Sequence, residues 1–278
     1  MSSNTPAVAV PRIDDSSKSV GVHAQLMALV LGTGMSLASG TAVAGDNYLR
    51  VGFGLDLPWN AVFSDTDCAS TTVDALYGCG TGSDGEPTRS VGKFESVRAV
   101  ELGFGYASGS KRLEMLVEYR PNFEFRGRTN FLSADRRQDV RAKLSTVSAM
   151  LAGFIDLTGV GSPKVGQPIP FFGAGVGFAH TRIGKTSIYF PATTTIVPGG
   201  SRTGFAWMAT TGIAVALDDR MTVDLAWRYT DLGKVRTGQG SGQVVWRDGS
   251  QGPNQLNLAP TESRLRGLGM SLSLRYSF

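Results

Sequence analysis

The chain ends Gly267-Leu268-Gly269-Met270-Ser271-Leu272-Ser273-Leu274-Arg275-Tyr276-Ser277-Phe278. Leu268, Met270, Leu272, Leu274, Tyr276 and Phe278 fall on one face of a period-two pattern. Gly267, Gly269, Ser271, Ser273, Arg275 and Ser277 fall on the other. Strict alternation of this length predicts a strand with a greasy face and a small-polar face.

The same division recurs upstream. Residues 48–57 set Leu49, Val51, Phe53, Leu55 and Leu57 against Tyr48, Arg50, Gly52, Gly54 and Asp56. Residues 99–106 set Val100, Leu102, Phe104 and Tyr106 against Ala99, Glu101, Gly103 and Gly105. Residues 113–120 set Leu113, Met115, Val117 and Tyr119 against Glu114, Leu116, Glu118 and Arg120. Residues 172–179, 204–217 and 221–230 repeat it, with Phe172, Val176, Phe178, Phe205, Trp207, Leu225 and Trp227 on the greasy side. Residues 144–156 read as an eighth strand, with Val147, Ala149, Leu151 and Ile155 assigned outward.

Which face is inside decides the class. A soluble sandwich would bury its large apolar residues. Here the opposite face mixes glycine, alanine and serine with Glu114, Glu118, Arg120, Asp224 and Arg228, which make a poor dry core. The pattern fits a barrel whose greasy face meets lipid and whose narrow lumen is polar. Glycine numbers 36 of 278 residues, against a usual share of about 7%. Small residues make room inside such a barrel.

Connections agree. Segments 58–93, 125–141, 183–203 and 231–263 are long and polar; 107–112, 157–169 and 218–220 are shorter. Outer-membrane barrels have long outer loops and short periplasmic turns. The expected fold is therefore all-β: an eight-stranded antiparallel transmembrane β-barrel with four long outer loops and both termini in the periplasm. Aromatic girdles are expected from Tyr48, Tyr106, Tyr276 and Phe278 on the periplasmic side and Trp59, Phe94, Phe123 and Phe205 on the outer side.

Residues 1–44 differ from the rest. A polar leader precedes an uncharged run, Ala24 to Ala44, which closes in the small-x-small site Ala42-Val43-Ala44. This reads as a signal peptide, 1–44, ahead of a barrel domain, 45–278; a buried N-terminal helix is the other reading. Cys68 and Cys79 lie eleven positions apart in a Ser/Thr/Asp/Gly-rich stretch. After export such a pair closes a disulfide, the alternative being two free thiols.

The chain resembles the opacity-protein and outer-membrane-protein-A-like family of eight-stranded barrels. The marks are Pro170-Phe171-Phe172-Gly173-Ala174-Gly175-Val176-Gly177, Asp224-Leu225-Ala226-Trp227-Arg228-Tyr229-Thr230-Asp231-Leu232-Gly233 and the ending Leu274-Arg275-Tyr276-Ser277-Phe278. The resemblance implies an outer-membrane location and contact with outer-membrane lipid and lipopolysaccharide. It also implies an ending, Tyr276 and Phe278, read by the barrel-assembly machinery. It leaves function open among adhesin, surface antigen, structural protein and narrow pore.

Other chemistry is thinly supported. The Gly173-x-Gly175-x-Gly177 stretch alternates with Phe and Val and opens no helix, so it is no phosphate loop. His23 leaves with the signal peptide, which leaves His180 for any triad, without the surrounding motifs of barrel enzymes. Two Cys and two His give little to hold a metal, and a scattered net charge of +4 argues against nucleic acid. No catalytic residue, cofactor or metal is expected. A lipid-modifying enzyme is the least favoured function.

The inward charges carry the site expectation. Arg50, Glu114, Asp224 and Arg275 fall in the periplasmic half; Glu101, Glu118, Arg120 and Arg228 fall nearer the middle. Isolated charges in a narrow lumen are costly, so acids and bases should pair. The first four are expected to form one bridged cluster that plugs the lumen. A gated path for small ions through the same residues is the alternative. Arg98, at the outer rim, is expected to reach lipopolysaccharide phosphates or to be an ordinary rim arginine. The loops are expected to offer an extracellular ligand a surface.

Overall fold

The computed structural model describes residues 46–57, 59–157 and 165–278. The segment 1–44, read as a signal peptide, lies outside the described residues, as does part of the 157–169 connection. The described chain is built from strands: β1 (Asp46–Leu57), β2 (Asn60–Asp65), β3 (Ser90–Phe94), β4 (Val97–Ser108), β5 (Lys111–Thr129), β6 (Asp139–Asp156), β7 (Pro168–Ile183), β8 (Thr186–Tyr189), β9 (Thr193–Val197), β10 (Gly200–Ala216), β11 (Met221–Arg236), β12 (Gly240–Trp246), β13 (Asn254–Leu258) and β14 (Thr261–Ser277).

Eight of these close a ring. The antiparallel order is β1–β4–β5–β6–β7–β10–β11–β14, and β14 returns to β1 with Arg50 opposite Arg275. Closure leaves no unpaired edge, the condition for strands to cross a bilayer. The greasy face points out. Phe53 is 67% exposed, Phe178 64% and Phe205 58%. The outward parity assigned to 144–156 is the one observed, with Leu151 and Ile155 exposed and Met150, Ala152 and Phe154 buried.

The ring strands outrun a membrane. A transmembrane strand needs about 9–11 residues, yet β5 has 19, β6 has 18 and β14 has 17. Their upper ends carry six further strands. The β2–β3 hairpin fills the gap between β14 and β5, and β8, β9, β12 and β13 continue from the top of β6. Three of the four segments read as long loops are thus partly hairpins, and 125–141 is mostly the tops of β5 and β6. These hairpins show no greasy alternation because neither face meets hydrocarbon.

Three aromatic assignments change. Phe94 and Phe123 are 3% and 4% exposed, so they are core residues and not an outer girdle. The cause at Phe123 is a register shift between Arg120 and Phe123, around Pro121. One extra residue there swaps the faces of β5, so Phe123 and Phe125 turn inward. They pack edge-on or tilted against Phe94 and Phe63, at centroid distances of 4.9–5.7 Å. Tyr48 also leaves the girdle: it is 1% exposed and points into the lumen. Arg98 lies on the outward face near the upper end of β4, opposite Leu55.

Candidate functional site: a buried ladder of ion pairs

The lumen is two-sided. Strands β6, β7 and β10 contribute Met150, Ala152, Phe154, Phe171 and Met208, all buried. Strands β1, β4, β5, β11 and β14 contribute most of the charge, and β6 adds Asp156 at its end. Each charged side chain sits at an even or odd position fixed by the greasy face of its own strand. Lipid outside therefore forces these residues inside.

The charges form a ladder. At the end nearest the termini, Arg275 donates through Nε and Nη2 to the two oxygens of Asp224, at 2.7 and 2.9 Å. Its guanidinium lies 5.5 Å from the Tyr48 ring centre. Tyr48 Oη donates to Glu114 Oε1 at 2.6 Å. Glu114 also accepts from Arg50 Nη1 and Arg112 Nη1, both at 3.1 Å. Arg50 reaches Glu101 at 3.5 Å, and Arg228 donates to Glu101 at 2.8 Å. Arg228 further pairs with Glu118, Glu118 with Arg120 at 2.9 Å, and Arg120 with Asp56 at 2.8 Å. A side branch joins Arg112 to Asp156 at 2.8 Å.

All eight charged residues picked out by parity lie on this ladder. The expected four-residue cluster does not form as one unit. Arg50–Glu114 and Arg275–Asp224 are separate pairs, and the Tyr48 ring stands between them. Four members escaped the sequence reading: Tyr48, Asp56, Arg112 and Asp156. Arg112 shares the parity of Glu114, so its facing is legible in the sequence, but it falls at the end of the connecting segment 107–112. Its guanidinium covers the rings of Phe154 and Phe171, at 4.7 and 5.0 Å, where the charged and apolar sides meet. Such stacking suits arginine, whose planar cation is weakly hydrated.

Burial sets the energetics. Arg50, Glu101, Glu114, Glu118 and Arg120 are at most 2% exposed. Ions so placed are tolerated only when paired and hydrogen-bonded. The ladder meets that need for most groups. Arg50 Nε and Arg228 Nε have no hydrogen-bond partner among the described residues.

The remaining candidates lie elsewhere. Cys68 and Cys79 are disulfide-bonded, with Cα atoms 4.9 Å apart. The enclosed loop is pinned by Asp65, whose carboxylate accepts the N–H groups of Leu76, Tyr77 and Gly78 at 2.8–3.1 Å. The loop lies outside the eight-stranded ring. Reduction is therefore expected to add about two daltons and to open residues 66–88 to protease, while heat-modifiable migration persists. Two alkylatable thiols in the untreated protein would contradict the bond.

Tyr276 and Phe278 are exposed on the outward face, and Phe278 N–H donates to Asn47 O at 2.9 Å. His180 also faces outward, with Nδ1 2.8 Å from Thr203 Oγ1. It stands apart from the ladder. Among the described residues no three His, Cys, Asp or Glu side chains converge as metal ligands.

A closed eight-stranded ring, an apolar exterior and a charged interior define an outer-membrane β-barrel protein. The stretches 170–177, 224–233 and 274–277 sit on its β7, β11 and β14. No protein-family profile matches the chain. The chain is similar to the outer membrane protein PagN of Salmonella typhimurium, with 32% identity over 66 residues. That match covers 24% of this chain and 28% of the length of PagN. Among solved structures, OprG of Pseudomonas aeruginosa matches 84% of this chain and 96% of its own, at 15% identity and TM-score 0.45. Neisserial surface protein A matches 84% and 97%, at 14% identity and TM-score 0.34. The outer membrane protease OmpT of Escherichia coli matches 87% and 99%, at 7% identity and TM-score 0.46.

Proposed function

We propose that this protein is a structural or surface-interaction barrel of the Gram-negative outer membrane. In this reading the lumen is closed by the ion-pair ladder, and the hairpins above the membrane form the working surface. One observation carries it: the mid-lumen charges are almost inaccessible to water. A conducting pore keeps its wall charges wet; here Glu114 is 0% and Glu101 and Glu118 are 1% exposed. The crown above, with its disulfide and its packed Phe63–Phe94–Phe123–Phe125 core, is built as a rigid platform. Adhesion or antigen display fits a platform better than transport does.

The termini lie in the periplasm in this reading, and the connection 218–220 is a periplasmic turn. A short epitope inserted at Gly249–Ser250 should be labelled on intact cells. The same epitope at Asp219 should need permeabilised cells. The opposite pattern would invert the topology.

The ending is read by the assembly machinery in this proposal. Deleting Phe278 removes an exposed ring and one backbone bond to Asn47, a small loss to the folded barrel. Folded, heat-modifiable protein in the outer membrane should nevertheless fall several-fold, while refolding from denaturant into detergent stays near wild type. A matched fall in both would make Phe278 an ordinary strand residue.

A further inference from the structure

The outward surface of β6, β7 and β10 can be read in rows from the pairing register. One row holds Ala149, Phe178 and Phe205, with both phenylalanines more than half exposed. The next holds Val147, His180 and Thr203, and the next Ser145, Arg182 and Ser201. Two residues along a strand advance about 7 Å, less when the strand is tilted. Arg182 therefore sits two rows, on the order of 10 Å, above an aromatic row that marks the edge of the hydrocarbon.

At that level the wall is indented. The last β6–β7 pair is Leu144 opposite Ile183, and the last β7–β10 pair is Ile183 opposite Gly200. Above it β6 takes up β8 instead. The fork leaves a cleft of about 490 Å³, lined by Asn122, Lys143, Ser145, Arg182, Gly184 and Ser201. Gly184 lies at its edge, beside the Lys143 carbonyl.

The two cations in the cleft are unspent. Several exposed cations of the upper barrel have acids: Arg126 pairs with Glu95 and Glu124, Lys234 and Arg202 with Glu262, and Arg264 with Asp231. Arg98, Arg141 and Lys185 have no such acid among the described residues, and they do not line the cleft. Glu124 lies opposite Lys143 in the β5–β6 register, but its carboxylate holds Arg126 at 2.8 Å. Lys143 and Arg182 have no carboxylate within ion-pair distance among the described residues. Hydroxyl and amide groups of Ser145, Ser201 and Asn122 surround them.

We propose that this cleft binds the phosphorylated sugar headgroup of an outer-leaflet glycolipid, with Lys143 and Arg182 on a phosphate. The inference rests on the outer-membrane reading above. The source is the membrane because Ser145, Arg182 and Ser201 lie on the outward face, two rows above the exposed Phe178 and Phe205. Acyl chains of the bound molecule would run down over Phe178, Phe205 and Val176. A soluble polyanion would approach from the crown. An arginine fork and a lysine point charge suit a phosphate, and the surrounding hydroxyls suit a sugar.

The test is native mass spectrometry of the full barrel in detergent, with bis-phosphorylated lipid A, dephosphorylated lipid A, inorganic phosphate and heparin as separate probes. Wild type is expected to retain the phosphorylated lipid about tenfold or more over the dephosphorylated one, the size of one charge-assisted contact. The Lys143→Gln/Arg182→Gln variant should lose that preference and keep its heat-modifiable migration. Equal retention of both lipids by wild type, or an unchanged preference in the variant, overturns the site. Stronger binding of heparin or inorganic phosphate than of lipid A overturns the lipid assignment. Each single variant should lose part of the preference, which decides the case even if the double variant does not fold. Loss of heat-modifiable migration in wild type itself would instead refute the barrel reading.

Discussion

Replacing Glu118 with leucine is expected to destabilise the barrel by about 3–5 kcal/mol, the usual cost of breaking a buried ion pair by removing one partner. Glu118 is the rung with a guanidinium on either side: Arg120 at 2.9 Å and Arg228 in direct contact. Both arginines are nearly inaccessible to water. Arg228 would retain Glu101, and Arg120 would retain Asp56. Each would still lose half of its counter-charge in a region that water cannot reach. Glu118→Gln keeps an acceptor oxygen and should cost less than Glu118→Leu. Glu262→Gln provides the comparison, because its partners Lys234 and Arg202 are 53% and 38% exposed. An exposed pair is worth at most about 1 kcal/mol. The urea midpoint of heat-modifiable migration should fall in the order Glu118→Leu, Glu118→Gln, Glu262→Gln. Equal midpoints for the first and last would mean that the ladder contributes nothing to stability.

Gly105→Val should cost as much by a different route. Gly105 faces the lumen beside the Tyr48 ring. A Cβ added there would lie 2.3 Å from Tyr48 Cζ and 2.5 Å from its oxygen. The ring cannot step aside, because Glu114 holds its hydroxyl and the Arg275 guanidinium lies over its face. Overpacking costs about 1–3 kcal/mol. Expelling Tyr48 also removes a hydrogen bond to a buried carboxylate, worth about 1.5–3 kcal/mol. Gly153→Val is the control: its Cβ would point outward and meet nothing within 4 Å. Combining Gly105→Val with Tyr48→Ala should recover part of the loss, since the second change vacates the contested space. Strict additivity of the two changes would refute the steric account.

Much of the barrel was legible because lipid imposes period two on the outside. Leu268 through Phe278 and Leu49 through Leu57 fix the facing of β14 and β1, and therefore the inward facing of Arg275 and Arg50. Parity has no memory across a bulge, which is why Phe123 reads outward in sequence and inward in space. The upper hairpins were illegible for another reason. Thr193–Val197 is a short β-branched run between Ala192 and Pro198, with no greasy face to announce it. Tyr48 shows a third limit. Its parity is inward and its residue type suggests an interface belt; the lumen wins because Glu114 offers its hydroxyl an acceptor. The partner of each charge is a matter of depth, which alternation alone does not report. Arg112 and Asp156 meet only because Lys111–Thr129 and Asp139–Asp156 pair in one register, with Arg112 opposite Phe154.

Whether the water-excluded ladder closes the lumen is decided by planar-bilayer recording of the purified wild-type barrel. With heat-modifiable migration confirming the folded state, no steady open level above the bare bilayer is expected. Glu114→Gln/Asp224→Gln, which frees Arg50, Arg112 and Arg275 from their principal acids, should introduce fluctuating openings. A stable, ohmic conductance in the wild type comparable to that of a wide general porin would contradict the closed lumen.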